Sequence, residues 1–218
     1  MTGPRAGFDV SAQELKFLPE HFSRSDADDD AVFYAPDRMV YHLDDPARSA
    51  LRTFYRNVLP ENARVLDLMS SWVSHLPDES YTAVTGLGMN RAELDANPQL
   101  SARFVQNLNS DPKLPFEDDS FEACLIALSV QYLTQPLEVF AEIGRVLATD
   151  GVCVVSFSNR CFPTKAVAIW RALDDSGHTG LVTTYFRQSG MFTEPGYDDL
   201  SPAPGRSDPL FVVYAKAC

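Results

Sequence analysis

The 218-residue chain is short of the groups on which several common chemistries depend. Its four cysteines, Cys124, Cys153, Cys161 and Cys218, have no paired spacing, and Cys124 and Cys153 fall inside apolar runs, where free thiols pack as small hydrophobes. This argues against a disulfide framework and predicts a reducing, cytoplasmic setting. The four histidines are equally dispersed, so no ligand spacing exists and no metal is expected. Basic side chains are outnumbered 18 to 30, giving a net charge of -12, with acids concentrated in Asp26-Ala27-Asp28-Asp29-Asp30, Glu117-Asp118-Asp119 and Asp198-Asp199. Such a surface repels phosphate backbones and anionic lipid, so neither nucleic acid nor membrane is an expected partner. No apolar run approaches membrane-spanning length, the first residues Met1 to Gly7 carry no apolar signal core, and a Walker-type phosphate loop is absent.

What is present is an apolar complement of 45%, enough to bury a full core in one domain with appendages. Residues 1–44 mix aromatics with acids and prolines. Phe33 to His42 reads as an extended or irregular arm, and the aromatic and polar tips of Phe33, Tyr34, Arg38, Tyr41 and His42 suit the roof of a pocket, so 1–44 is read as an arm or lid beside a domain spanning 45–218, its aromatics serving either a substrate lid or a partner surface. From Pro46 to Leu59, Ala47, Ala50, Leu51, Phe54, Tyr55 and Val58 recur at helical spacing, with Asp44 or Asp45 as the cap.

Short apolar runs bounded by turns predict strands at Arg64–Leu68, Tyr81–Leu87 and Arg103–Leu108. Between the first two, Pro77 stops any helix starting near Ser70, leaving room for one or two turns. A short helix is expected around Ala92-Glu93-Leu94. Phe121–Ser129 and Gly151–Ser158 are continuously apolar, as strands buried on both faces of a parallel sheet are. Between them lies a helix with Thr134 as its cap, Pro136 in its first turn, and Leu137, Phe140, Ala141, Gly144 and Leu147 on one face. A further helix is expected over Lys165–Leu173, a loop or short edge hairpin over Pro195–Gly205, and a last strand at Pro209–Lys216.

The most informative stretch is Arg64-Val65-Leu66-Asp67-Leu68-Met69-Ser70-Ser71-Trp72, an apolar strand ending in an acid and entering a polar turn. With Leu114-Pro115-Phe116-Glu117-Asp118-Asp119-Ser120-Phe121 before the fourth strand and Arg145-Val146-Leu147-Ala148-Thr149-Asp150-Gly151 before the fifth, the chain over roughly 45–216 resembles class I S-adenosylmethionine-dependent methyltransferases of the type 11 kind. The resemblance implies an α/β fold, a Rossmann-like doubly wound seven-stranded sheet with a reversed C-terminal strand. It also implies S-adenosylmethionine as cofactor and methyl transfer to a small molecule.

The chain departs from that pattern where the cofactor should bind. The family's first turn carries glycines, and here Met69, Ser70 and Ser71 stand in their place. The family sets an acid on the ribose hydroxyls at the end of the second strand; Gly88 occupies that position, with Met89 and Asn90 after it, and Asn90 or a backbone group is expected to take the ribose role. On this reading an acid restored by Gly88→Asp should strengthen binding. After the third strand, Asn107-Leu108 replaces the family's acid, and the amide oxygen still accepts a hydrogen bond from adenine.

Asp67 either orients the turn and meets a cationic sulfonium or amino group, or caps backbone. Ser70 and Ser71 offer hydroxyls and N–H groups at a helix start, which equally describes ordinary capping. Trp72 is a pocket wall or core, and His75 a base or a structural residue. Ser129, Gln131 and Tyr132 follow the fourth strand, where the family carries catalytic side chains; Tyr132 can donate or act as a weak base, whereas Gln131 only orients. Arg160 and Lys165 suit an anionic substrate or pair with surface acids. Cys161 lacks a sequence-linked base. The cofactor-binding set is thus Asp67, Met69, Ser70, Ser71, Met89, Asn90, Asn107, Leu108 and Ser129, and the catalytic set Tyr132, Gln131 and Arg160. Two other readings share these residues: a repurposed pocket that binds another ligand or catalyses another displacement, and a non-catalytic scaffold or regulatory partner.

Overall fold

The computed structural model describes residues 16–79 and 81–218, so the N-terminal residues Met1 to Gly7 and the first part of the arm lie outside the described residues. Seven strands form one sheet: β1 (Arg64–Leu68), β2 (Ala83–Gly88), β3 (Ala102–Val105), β4 (Phe121–Ala127), β5 (Leu147–Phe157), β6 (Gly196–Asp199) and β7 (Phe211–Lys216), in the order β3-β2-β1-β4-β5-β7-β6. The first five run parallel, and β7 is inserted antiparallel between β5 and β6. The order reverses between β1 and β4, and at such a point the strands' carboxyl ends splay to leave a crevice for a ligand.

Helices cover both faces. α2 (Asp45–Val58), capped by Asp44 through Ala47 N–H at 3.0 Å, buries Ala47, Leu51, Phe54 and Tyr55 against Val65, Ala123, Leu125, Val152 and Val154. α4 (Pro136–Val146) and α6 (Asp175–Ser189) pack on the opposite face with Cys124, Ile126, Cys153, Val155 and Phe157. The central strands therefore present apolar side chains alternately to two cores, which is why they read as continuous apolar runs. α1 (Asp30–Tyr34), α3 (Arg91–Ala96) and α5 (Ala168–Arg171) are short.

Several local expectations are corrected. Among the described residues no helix forms between β1 and β2: residues 69–79 run as an irregular segment. Thr134 does not cap α4, because its N–H and hydroxyl both bind Asn109 Oδ1. β5 begins at Leu147 rather than Gly151, and the helix expected over 165–173 is confined to α5. The longest helix, α6, was not foreseen. Gly177, Gly180 and three threonines dilute its pattern, although His178, Leu181, Val182, Tyr185 and Phe186 do follow helical spacing toward the core.

Candidate functional site

After β1 the chain turns at Met69, whose φ of 57° lies in the left-handed region usually reserved for glycine. The turn is held by Ser70 N–H on the Leu87 carbonyl at 2.8 Å. This presses the Ser70 carbonyl against β2 so closely that a Cβ at Gly88 would lie 2.2 Å from its oxygen. The bare position at the end of β2 is thus a consequence of the turn at the end of β1.

Asp67, 2% exposed, accepts from Ser70 Oγ at 2.5 Å and Ser74 Oγ at 2.6 Å, both on Oδ2. Burial pushes its pKa up to about 6, against the lowering effect of the two hydroxyls. Asn97 Nδ2 holds Ser74 Oγ and the Ser71 carbonyl, at 2.9 and 3.0 Å. The serines are therefore braces of an irregular turn and not the start of a helix, so a ligand carboxylate finds no helix N-terminus there.

A cavity of about 440 Å³ opens at the carboxyl ends of β1 to β5. Of the residues singled out from the sequence, Asp67, Met69, Ser70, Ser71, Met89, Asn90, Asn107, Leu108, Ser129, Tyr132 and Arg160 all line it. Gln131 does not. It is buried, its amide donates to the Leu128 carbonyl at 2.8 Å, and Val167 N–H binds its backbone oxygen, so it braces the turn after β4.

Lining the cavity does not leave every group free. Asn90 caps α3 through Glu93 N–H at 3.0 Å, and its Nδ2 donates to the Tyr34 and Ala35 carbonyls and to Asp37. With both ends of the amide in use, Asn90 does not meet the expectation that it serves a ribose. Arg160 stands at the rim, paired with Asp208 at 2.7 Å. Tyr132 Oη accepts from Phe162 N–H at 2.8 Å, and burial pushes its pKa up to about 12, which keeps it protonated. Ser129 Oγ is buried without a hydrogen-bond partner among the described residues, a vacant polar atom on the cavity wall. Lys165 lies outside the cavity, wholly buried against Asp26, Asp30 and the Asp28 carbonyl.

Residues 24–42 pass over this edge of the sheet and contribute Asp30, Tyr34, Arg38, Val40 and His42 to the cavity. Trp72 Nε1 donates to the Val40 carbonyl at 3.1 Å, so Trp72 is a wall fastened to the arm. The Arg38 guanidinium lies 4.6 Å from the Phe33 ring centre and 5.4 Å from that of Phe162. His42 meets Phe162 edge-on, and burial, reinforced by Arg38 and Arg160 against Glu93, lowers its pKa below the usual range. His75 is deeper, and burial together with Arg48, Arg52 and His42 lowers it to about 4. Both imidazoles are therefore neutral at pH 7.

Sequence reasoning missed Glu93. Its position in the first turn of α3 reads as helix capping, yet the side chain lines the cavity, accepting from Ser71 Oγ at 2.5 Å and Arg38 N–H at 2.7 Å. The Arg38 contact spans 55 residues of sequence, beyond any local signal.

S-adenosylmethionine fits what is present in size and in donor set: a cavity within the 300–1,000 Å³ range of small-molecule sites, apolar walls at Met69, Leu87 and Leu108, a vacant hydroxyl at Ser129, and two carboxylates at Asp67 and Glu93. The usual glycine turn and β2 acid are absent.

Residues 68–155 match the family model described as a methyltransferase domain. The biotin biosynthesis bifunctional protein BioHC of Teredinibacter turnerae is 32% identical over 72 residues, 33% of this chain but only 13% of that protein. Among solved structures, an S-adenosylmethionine-dependent methyltransferase from Aquifex aeolicus superposes with a TM-score of 0.57 at 16% identity, covering 93% of this chain and 100% of that one. One from Mesorhizobium loti gives 0.54 at 15%, covering 77% and 97%. The (4+2)-cyclase SpnF gives 0.53 at 14%, covering 78% and 80%. The likeness to these solved structures lies in the fold, and the segment 68–155, less than half of the chain, is similar to the methyltransferase domain family.

Proposed function

We propose that this protein transfers a methyl group from S-adenosylmethionine to a small molecule inside the cavity at the carboxyl ends of β1 to β5. The observation that carries the reading is that side chains following five successive parallel strands converge on one cavity of cofactor size. Asp67, Glu93 and Ser129 are the polar groups that would hold the cofactor, with Met69, Leu87 and Leu108 against its apolar faces. When bound, it supplies a sulfonium methyl with a good leaving group.

The protein's own contribution is alignment and exclusion of water. Residues 24–42 act as a lid, since Tyr34, Arg38 and His42 close the cavity from above. Tyr34 is held protonated chiefly by burial, with Tyr132 and Asp30 adding to the effect, and Tyr132 by burial; both are donors to a substrate and not bases. His42, neutral and without a hydrogen-bond partner among the described residues, is the group placed to receive a proton from the substrate nucleophile. A net charge of -12 opposes nucleic acid as substrate. Among the described residues no helix is long and apolar enough to cross a membrane; with its unpaired cysteines, this supports a cytoplasmic enzyme.

The closed position at Gly88 favours a second reading, in which the pocket serves another ligand or reaction. Calorimetric titration with S-adenosylmethionine and S-adenosylhomocysteine decides between them. Saturable one-to-one binding is expected. No heat and no thermal stabilisation with either compound, at concentrations that saturate a control methyltransferase, would leave the second reading standing.

A further inference from the structure

We infer that Glu93 is the residue by which the cavity recognises vicinal hydroxyls, those of the ribose of its nucleoside ligand; this rests on the methyl-transfer reading above. Position 88 admits no side chain, because the Ser70 carbonyl occupies its space, and the Asn90 amide is consumed by α3 and the arm. The wall formed by Ser71, Gly88, Asn90 and Glu93 therefore holds one carboxylate, that of Glu93. It is buried and takes one protein hydrogen bond on each oxygen, from Ser71 Oγ and from Arg38 N–H. A carboxylate has about four acceptor sites, so roughly one per oxygen remains for a ligand that lines the same wall. Two adjacent hydroxyls match two adjacent oxygens.

The two protein donors come from different parts of the chain, Ser71 from the turn after β1 and Arg38 from the arm. Glu93 is thus fixed in place only while the arm is docked. Hydroxyl recognition and closure are linked through one side chain, which makes Glu93 a specificity residue that no reading of β2 alone would find.

The test is calorimetry with S-adenosylhomocysteine and its 2′-deoxy and 3′-deoxy analogues on the full chain and on Glu93→Gln and Glu93→Asp. Each deoxy analogue should bind the parent protein about tenfold or more weakly, the order expected for a charge-assisted hydrogen bond. Glu93→Gln should lose about tenfold in affinity for S-adenosylhomocysteine and bind all three compounds alike, while Glu93→Asp should restore part of the discrimination. Thermal unfolding of each variant, run alongside, shows that the fold is retained. Equal affinity of the parent for all three compounds, or undiminished discrimination by Glu93→Gln, overturns the assignment of Glu93 while leaving methyl transfer intact. Failure of the parent protein to bind S-adenosylhomocysteine at all overturns both.

Discussion

The carbonyl oxygen of Ser70 lies 2.2 Å from where the Cβ of any residue but glycine at position 88 would stand. The turn has no slack with which to retreat: Ser70 N–H is bound to Leu87, and Ser70 Oγ to the buried Asp67. The expectation from sequence that Gly88→Asp strengthens ligand binding is therefore reversed. Gly88→Ala should cost about 1–3 kcal/mol, as overpacking a filled site does, and Gly88→Asp at least as much, with weaker binding of S-adenosylhomocysteine. Urea unfolding and calorimetry on the two variants check this; an aspartate variant as stable as the parent and tighter in binding would show that the turn yields.

Asp67 and His75 line the same cavity and drive the pH dependence of stability in opposite directions. Burial raises Asp67 from 3.8 to about 6, so between those values the native state holds a proton that the unfolded chain has released, and stability falls as pH rises. Burial and nearby arginines lower His75 from 6.5 to about 4, so in nearly the same window the unfolded chain holds the extra proton, and stability rises with pH. Each shift corresponds to about 3 kcal/mol at 1.36 kcal/mol per unit, so the two contributions largely cancel. Asp67→Asn should expose the histidine slope, with stability lost as pH falls from 6.5 to 4. His75→Gln should expose the aspartate slope, with stability gained over the same interval. Denaturant titrations at four or five pH values distinguish parallel profiles, which would deny the coupling, from diverging ones.

Tyr132 Oη is the acceptor for Phe162 N–H, and Phe162 in turn packs against Phe33, His42 and Arg38 of the arm. Tyr132→Phe leaves that partly buried donor unpaired, at a cost of about 1 kcal/mol. The amide of Phe162 should also lose protection from hydrogen exchange while those of β4 keep theirs. Unchanged protection at Phe162 would mean that the loop is held by packing alone.

The strands were legible because β1, β4 and β5 are buried on both faces, and a run of Val, Leu, Ile, Cys and Phe leaves few alternatives. α2 was legible for the opposite reason: Ala47, Leu51, Phe54 and Tyr55 mark one clear face. The segment after β1 was not, since what replaces the expected helix is a set of contacts from Asp67, Leu87 and Asn97, each distant from Ser70 to Ser74 in sequence or in element. Candidate residues near strand ends were found because topology brings those ends together. Their roles were not, because Asn90, Glu93 and Arg160 are each engaged by a group at least 48 residues away.

Lys165 joins the arm to the body of the domain, and its removal should release the one without melting the other. Its ammonium, with no exposed surface, lies 2.7 Å from the Asp28 carbonyl, 3.2 Å from Asp26 and 3.3 Å from Asp30. Asp30 is itself buried and keeps Arg24 at 2.6 Å and Asn109 Nδ2 at 2.9 Å when the lysine is gone. Lys165→Met therefore strands a carboxylate only in part, and the cost should sit near the lower end of the 3–5 kcal/mol typical of a broken buried pair. The arm is also held by two backbone bonds, Asp26 N–H to the Thr164 carbonyl and Ala168 N–H to that of Ser23, at 2.9 and 2.8 Å. Their amides report its docking directly. In Lys165→Met the amides of Asp26 and Ala168 should exchange much faster while those of Leu125 and Val154 in the sheet slow or hold, and affinity for S-adenosylhomocysteine should fall because Arg38 no longer braces Glu93. If sheet and arm amides accelerate together, the arm is part of the same cooperative unit as the core and cannot open as a lid.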